Sequence, residues 1–181
     1  MAGFKEFLEF VGFMKTLQRS LEKNKVTFNL KVKQVIGIYN IYQGRDVFAL
    51  LPTGYGKSVI YQLLPDMFDD SKIIIVVSPL NSIIKDQMDS LTKKNLKSGV
   101  LNCFEEQGLI KLFDDDEVSE DSVKNKPTGL PKELTDGKIS IVFSHPESLL
   151  CEEGRKLLRS EIFQKQVLAC VIDEAHCIKL W

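Results

Sequence analysis

The spacing of hydrophobic residues changes along the chain, and each period predicts a different element. Within residues 1–25, apolar residues from Phe4 to Leu21 recur at helical intervals and predict an amphipathic helix. We expect this helix to pack on the rest of the fold, although a partner-binding helix is a second interpretation. Another helical pattern covers residues 32–42 and is closed by Gly44.

Short apolar runs alternate with helical patterns through the rest of the chain. The predicted strands are residues 46–51, 72–77, 99–102, 138–143 and 166–172, and the predicted helices between them are residues 58–64, 82–92, 146–150 and 152–163. The run at 72–77 is almost entirely β-branched, which suits a strand buried on both faces of a parallel sheet. This alternation predicts an α/β domain with a mainly parallel central sheet flanked by helices.

Composition narrows the class of protein without indicating a function. The formal net charge is −1, so any nucleic-acid contact needs a local patch or backbone groups. Charged residues interrupt the apolar run that a signal peptide requires, and no run reaches the length of a membrane span, so we expect a soluble intracellular protein. The four cysteines lack C-x-x-C pairing and are interpreted as reduced thiols. Residues 114–131 are acidic and then polar, and predict a poorly ordered surface insertion.

A glycine-rich segment follows the first predicted strand. It reads Pro52-Thr53-Gly54-Tyr55-Gly56-Lys57-Ser58 and leads into a predicted helix. Its glycines let the backbone approach phosphate oxygens and turn N–H groups inward. Lys57 would reach the outer phosphates, and the Ser58 hydroxyl would hold a magnesium ion. An ordinary glycine turn is the alternative, because Leu51 occupies the first glycine position of the strict phosphate-loop pattern.

Two acidic residues stand at the end of the last predicted strand. Asp173 would bind magnesium through water, and Glu174 would orient and deprotonate an attacking water. Two solvated acids at a strand end are the alternative. His176 has three interpretations: a core histidine, a metal ligand, or a polar link between the nucleotide and the rest of the molecule. In parallel sheets, ligands bind beyond the carboxyl ends of strands, where this pair and the glycine-rich segment both fall.

Several segments, in the same order along the chain, resemble the motifs of one helicase family. Leu30-Lys31-Val32-Lys33-Gln34 resembles an adenine-reading motif, F-R-x-x-Q, and residues 51–58 resemble an ATP loop. Val77-Ser78-Pro79-Leu80 resembles motif Ia, His145-Pro146-Glu147-Ser148-Leu149 resembles A-P-E-R-L, and Asp173-Glu174-Ala175-His176 resembles motif II. With these motifs the chain is similar to RecQ-type ATP-dependent DNA helicases, and residues 26–181 resemble their first RecA-like lobe.

The resemblance implies an ATPase that moves 3′ to 5′ on single-stranded DNA and separates duplexes, with ATP and magnesium as cofactors and a nuclear location. It implies that Gln34 and Lys31 bind the adenine side of the nucleotide, and that His176 couples hydrolysis to DNA. The implied catalytic residues are Lys57, Asp173 and Glu174. The implied phosphate contacts are Pro52, Thr53, Gly54, Gly56, Lys57 and Ser58, and the implied magnesium ligands are Ser58 and Asp173. The implied DNA contacts are Ser78, Pro79, Leu80, His145, Pro146 and Trp181.

The sequence also departs from the family pattern. Lys31 stands where arginine is usual, which weakens planar stacking on adenine, and Ser148 replaces the arginine of A-P-E-R-L. The chain ends soon after motif II, so we expect the second lobe with its arginine fingers to be missing and the chain to be a nucleotide-binding half-motor. Two alternatives stay open: a non-catalytic nucleotide- or partner-binding regulator of a full-length helicase, and an RNA helicase of the DEAH or DEAD type.

Overall fold

The chain folds into two compact units, residues 1–70 and 71–181. The structure, a computed structural model, describes residues 2–68, 72–94, 96–101, 110–111 and 139–180. The predicted insertion at 114–131 and the predicted DNA contact Trp181 lie outside the described residues. The predicted lobe at 26–181 extends over both units, and its extent stays a prediction.

Among the described residues of the first unit, every regular element is a helix or a helical turn. Its elements are α1 at Ala2–Lys23, α2 at Val32–Tyr42, α3 at Lys57–Gln62 and a 3₁₀ turn at Pro65–Met67. The amphipathic helix predicted at the start of the chain is confirmed by α1. Phe13 of α1 is fully buried, and its ring centre lies 4.9 Å from that of Tyr39 on α2. This aromatic contact packs α1 on the next helix of the same unit.

A polar network joins the end of α1 to the C-terminal end of α3 and to the 3₁₀ turn. Ser20 Oγ donates a hydrogen bond to Leu63 O at 2.8 Å, and Asn24 Nδ2 donates to Asp66 Oδ2 at 2.7 Å. Lys23 forms an ion pair with the same carboxylate. Because Ser20 and Asn24 are buried, these bonds satisfy polar groups whose desolvation would otherwise destabilise the unit.

The strand predicted at residues 46–51 is wrong. No regular element covers these residues, and Phe48 and Leu50 are 81% and 79% exposed. A strand exists only through hydrogen bonds to a neighbouring strand. No backbone hydrogen bond of that kind involves residues 46–51 within the described part of the chain. The local apolar run therefore predicted a strand whose formation depends on pairing that this structure lacks.

The second unit is an α/β layer built on one sheet. Its strands are β1 at Ile73–Val77, β2 at Ser98–Leu101, β3 at Ile110–Lys111, β4 at Ile141–Ser144 and β5 at Val167–Ile172. Its helices are α4 at Asn81–Lys93, α5 at Pro146–Leu150, α6 at Glu152–Arg159 and α7 at Glu161–Gln166. A 3₁₀ helix follows β5 at Ala175–Leu180. The strand order is β3-β2-β4-β1-β5, and β2, β4, β1 and β5 run parallel. The predicted mainly parallel sheet is confirmed.

The centre of the core is β1. Ile73, Ile75 and Val77 lie in one apolar cluster with residues of β4 and α7. Ile74 and Val76 point to the opposite face because side chains alternate along a strand, and both are fully buried. The β-branched run is thus covered on both faces, as the sequence predicted. Each helix in the described residues is too short or too polar to cross a lipid bilayer.

Two local features differ from the predicted elements. The helix expected at 152–163 is divided at Ser160, whose backbone is extended at φ −68° and ψ 135°. Its hydroxyl accepts a hydrogen bond from Phe163 N–H at 3.4 Å and caps α7. The short strand β3, antiparallel to β2, was not predicted. Two residues are too few to show a period in sequence.

Candidate functional site

Residues 52–58 form a tight turn that leads into α3, and we call this segment the phosphate loop. Gly54 and Gly56 have φ values of +74° and +86°, which residues with side chains rarely adopt. Tyr55 N–H donates to Pro52 O at 3.2 Å and closes the turn. Lys57 and Ser58 are the first residues of α3 and are half-buried. The segment thus has the left-handed glycine conformations that a phosphate-binding turn uses.

Two residues at the start of α2 contact the phosphate loop. Gln34 is 2% exposed. Its Nε2 donates to Tyr55 O at 3.1 Å and to Gly56 O at 3.0 Å, while its Oε1 accepts from Lys31 N–H at 2.7 Å. Lys31 Nζ donates to Tyr55 O at 3.3 Å and lies 4.2 Å from the centre of the Tyr55 ring. The structure therefore brings both predicted adenine-side residues onto the loop and satisfies the Gln34 amide with protein partners.

The loop also leaves space for an anion. A Cβ added at Gly54 would meet no heavy atom within 4 Å, and Thr53 and Gly54 are exposed. Across the described residues, no backbone hydrogen bond uses the N–H groups of Gly56 and Lys57. Free N–H groups beside open space fit the phosphates of a nucleotide. The Lys57 ammonium and the Ser58 hydroxyl lie at the same turn and are a donor and an oxygen ligand of the kinds that a magnesium-bound nucleotide would need.

In the second unit, the carboxyl ends of β1, β4 and β5 lie side by side. Val77 of β1 is in register with Ser144 of β4 and with Ile172 of β5. Ser78 N–H donates to Ser144 O at 3.0 Å, and Asp173 N–H donates to Val77 O at 2.9 Å. The residues that follow these strands therefore share one edge of the sheet. This edge carries both the predicted acidic pair and most of the predicted DNA contacts.

The acidic pair turns sharply away from β5. Glu174 has φ +51°, which is uncommon for a residue with a side chain. Asp173 Oδ1 accepts from Glu174 N–H at 3.0 Å, and Cys177 N–H donates to Glu174 O at 2.8 Å. These two bonds hold the turn, and the Asp173 carboxylate is oriented by the backbone that follows it. Backbone outliers of this kind persist only where the surrounding structure maintains them, and they cluster at functional sites.

His176 lies beside Glu174. Its Nδ1 is 3.2 Å from Glu174 Oε2, and its side chain is 75% exposed, against 30% for Glu174. The interpretation of His176 as a core histidine is therefore wrong. No group of three or more His, Cys, Asp or Glu side chains is placed to hold a metal ion in the described ranges. Magnesium does not require such a group, because it is commonly held by one or two carboxylates together with phosphate oxygens and water.

The predicted DNA contacts differ in exposure. Ser78 is 1% exposed, and its Oγ has no hydrogen-bond partner in the described structure, whereas Leu80 is 49% exposed. Sequence reasoning missed Asn81, the first residue of α4. Its Oδ1 lies 2.7 Å from His145 Nε2 and links the segments after β1 and β4. The sequence feature that could have identified Asn81 is its position immediately after the predicted Ser78-Pro79-Leu80 turn.

Comparison with known proteins agrees with the motifs. A family model described as DEAD/DEAH box helicase matches residues 32–181. The ATP-dependent helicase wrn-1 of Caenorhabditis elegans is 33% identical over 82% of this chain. The ATP-dependent helicase SGS1 of Saccharomyces cerevisiae is 34% identical over 77% of it. The ATP-dependent DNA helicase RecQ of Haemophilus influenzae is 31% identical over 76% of it.

These relatives are much longer than this chain. The chain spans 12% of wrn-1, 9% of SGS1 and 19% of the Haemophilus RecQ. The resemblance to RecQ-type helicases is confirmed over most of the chain, together with the RecA-like α/β class. The phosphate loop lies in the first unit, and the acidic pair lies in the second.

Proposed function

Because this chain belongs to the DEAD/DEAH box helicase family, we propose that it is an ATP-binding lobe of an ATP-dependent DNA helicase of RecQ type. The observation that carries the proposal is the phosphate loop. Its two glycines adopt positive φ values, and Lys57 and Ser58 follow them at the start of α3. The similar protein from Haemophilus is named an ATP-dependent DNA helicase, which supports DNA as the polymer.

In the first unit, the phosphate loop would bind the nucleotide. The N–H groups of Gly56 and Lys57 would donate to phosphate oxygens, and the Lys57 ammonium would neutralise part of their charge. The Ser58 hydroxyl is a proposed magnesium ligand. Thr53 and Gly54 line the exposed side of the turn, and Pro52 begins it. A bound magnesium ion would neutralise phosphate charge as the terminal phosphoryl group is transferred to water.

In the second unit, the acidic pair would supply the hydrolytic groups. The Asp173 carboxylate, which accepts a hydrogen bond from Glu174 N–H, is a proposed magnesium ligand of this unit. The Glu174 carboxylate would take a proton from the attacking water. His176 Nδ1 lies 3.2 Å from Glu174 Oε2, and when this nitrogen carries a proton it donates to the carboxylate. We propose that this contact couples hydrolysis to DNA.

The carboxyl edge of the sheet would bind the DNA backbone. Leu80 is exposed at this edge, His145 is half-buried, and the buried Pro146 begins α5 beside them. Contacts from such segments reach phosphate and sugar and carry little sequence information. Translocation 3′ to 5′ and a nuclear location are proposed from the likeness to RecQ-type helicases alone. Trp181 remains a predicted contact.

The proposal is tested by titrating the purified chain with magnesium-ATP in a calorimeter. We expect Lys57→Ala to weaken ATP binding roughly tenfold or more, because a hydrogen bond to a charged group contributes about 1.5–3 kcal/mol. Lys93→Ala is the matched control, because Lys93 is an exposed lysine in the last turn of α4. Equal affinity in wild type and Lys57→Ala would refute the assignment of the phosphate loop.

A second titration tests the nucleic acid. Single-stranded DNA and single-stranded RNA of the same sequence are compared at two salt concentrations. DNA binding that weakens with salt is expected, because backbone contacts release counterions. A clear preference for RNA would replace the DNA helicase proposal with an RNA helicase.

A further inference from the structure

A side-chain hydrogen bond joins two segments at the carboxyl edge of the sheet. Asn81, the first residue of α4, follows β1, and His145 lies between β4 and α5. His145 Nε2 and Asn81 Oδ1 are 2.7 Å apart. We call these two side chains the bridge. Both belong to the second unit, so one compact part of the fold sets their contact.

The backbone under the bridge is held independently of it. Ser78 N–H donates to Ser144 O at 3.0 Å and extends the pairing of β1 with β4. His145 O accepts from Leu149 N–H at 3.2 Å and from Ser144 Oγ at 3.3 Å. Because Pro146 follows it, His145 is also restricted to the extended backbone that it adopts, with φ −80° and ψ 148°. Loss of the bridge should therefore change the exposed edge and leave the fold intact.

The bridge orients the Asn81 amide. An Nε2–H group donates to the amide oxygen, so the oxygen faces His145 and the amide nitrogen, on the other branch of the same group, faces elsewhere. Asn81 is exposed, and no hydrogen bond uses its Nδ2 within the described ranges of the chain. Two N–H donors are therefore available to a ligand at the edge that is proposed to bind DNA.

The charges around the bridge favour an anion on the Asn81 side. The first turn of α4 contains no acidic residue, whereas the first turn of α5, which follows His145, contains Glu147. Glu147 is exposed, and its carboxylate would repel a phosphate. The amide of Asn81 meets no such charge within its own turn. It is thus placed to donate to a phosphate oxygen of a nucleic-acid backbone.

We infer that Asn81 donates to a phosphate oxygen of the DNA backbone, and that His145 is a positioning residue that orients the Asn81 amide for this contact. The inference rests on the proposed DNA binding of the same edge. It changes the role expected for His145, which acts on DNA through Asn81 because its Nε2 is engaged by that side chain. Since the amide is neutral, the contact adds affinity without displacing a counterion.

The first experiment measures the binding of a fluorescent single-stranded DNA to wild type and Asn81→Leu by anisotropy over a range of salt concentrations. We expect Asn81→Leu to weaken binding roughly tenfold, because a hydrogen bond to a charged phosphate is lost. The dependence of affinity on salt should keep its slope, since no cationic side chain is removed. A general disturbance of the edge would lower the slope together with the affinity.

Gln164→Leu is the matched control. Gln164 is an exposed amide in α7, which leads into the amino end of β5, and its Nε2 donates to Leu158 O at 3.2 Å. It therefore lies away from the carboxyl edge, and the variant should bind DNA as wild type does. Asn81→Asp covers the case in which Asn81→Leu fails to fold. It keeps an oxygen for His145 and loses both N–H donors, so DNA affinity at the wild-type level would contradict the inference.

The second experiment tests the role of His145. We expect His145→Leu to weaken DNA binding by about threefold, because the Asn81 amide keeps its donors and loses one orienting hydrogen bond. His145→Gln places an amide N–H near the position of Nε2 and should restore the affinity. The double variant Asn81→Leu/His145→Leu should bind DNA no more weakly than Asn81→Leu, since His145 acts through Asn81. Thermal unfolding of every variant should match that of wild type.

The outcomes are distinct. If wild type binds no DNA, the proposed DNA function fails and the inference fails with it, whereas the ATP titration reports on the phosphate loop separately. If wild type binds DNA and Asn81→Leu binds equally well, the inference is overturned and the proposed function stands. A further loss from His145→Leu in the Asn81→Leu background would show that His145 does not act through Asn81. Equal losses from both single variants, with lowered unfolding temperatures, would reduce the bridge to a structural link.

Discussion

Gly56→Ala is the substitution whose effect the structure specifies most closely. Gly56 has φ +86°, a left-handed conformation, and a Cβ at this position would lie 2.8 Å from Gln34 Nε2. Alanine therefore meets two separate penalties, one from its own backbone and one from its neighbour. Gly54 supplies a comparison within the same loop, because it has φ +74° and a Cβ there would meet no heavy atom within 4 Å.

The two penalties have different magnitudes. The left-handed conformation costs an L-residue roughly 1–2 kcal/mol relative to glycine. At Gly56 the Gln34 amide must also move, which weakens two hydrogen bonds that contribute about 1 kcal/mol each. We expect Gly54→Ala to lower the free energy of unfolding by about 1–2 kcal/mol and Gly56→Ala by about 2–4 kcal/mol. The difference between them, about 1–2 kcal/mol, measures the contact with Gln34.

The assay is urea denaturation at 25 °C, followed by helical circular dichroism, with the free energy of unfolding obtained by linear extrapolation. A double-mutant cycle completes it. In a Gln34→Ala background the amide that blocks the Cβ is gone, so Gly56→Ala should cost no more than Gly54→Ala. The coupling between the two positions should then equal the difference measured between the single glycine variants.

Two results would refute this reasoning. If Gly54→Ala and Gly56→Ala lowered the free energy of unfolding equally, the 2.8 Å approach of a Cβ at Gly56 to Gln34 Nε2 would have no effect on stability. Additive effects of Gln34→Ala and Gly56→Ala would show that the two residues do not interact.

Four further predictions concern other parts of the chain. Phe13→Ala should lower the free energy of unfolding by about 3–5 kcal/mol, since Phe13 is fully buried among aromatic rings, and a loss below about 1 kcal/mol in denaturation would contradict this packing. Gly12→Ala should raise the unfolding free energy by about 0.5–1 kcal/mol, because this helical glycine faces open space; destabilisation in the same assay would count against it. Ser160→Ala should cost about 1 kcal/mol through loss of the α7 cap, whereas Ser160→Asp should keep the stability near wild type. Glu174→Gln should keep ATP binding and lose ATP turnover in a form of the protein that hydrolyses ATP, and retained turnover would exclude Glu174 as the base.

Elements with a strong internal period could be predicted from sequence. The amphipathic pattern of α1 and the β-branched run of β1 both appear in the structure within a residue or two of their predicted positions. In both cases the pattern marks apolar side chains that any compact fold must bury. The helix at residues 152–163 was predicted as one piece, because the single hydroxyl that divides it at Ser160 does not change the hydrophobic period.

The predicted strand at 46–51 shows where local pattern is insufficient. Val47, Phe48 and Leu50 supply the apolar residues that a strand needs, yet all three are exposed. A helix satisfies its backbone within its own segment, whereas a strand depends on a partner that is often distant in sequence. Strand predictions therefore fail more readily than helix predictions wherever the pairing is not formed.

Residue types and their spacing were sufficient to propose the chemistry of the candidate sites. Positive φ at Gly54 and Gly56 is a conformation that glycine adopts freely, and the order of glycine, lysine and serine predicts a phosphate-binding loop. Which partners the surrounding side chains contact depends on the folded chain. Folding placed the Gln34 amide on the Tyr55 and Gly56 carbonyls and joined Asn81 to His145 across two strand ends. Residue type sets which bonds a side chain can make, but the choice among partners depends on distances between segments that sequence spacing does not contain.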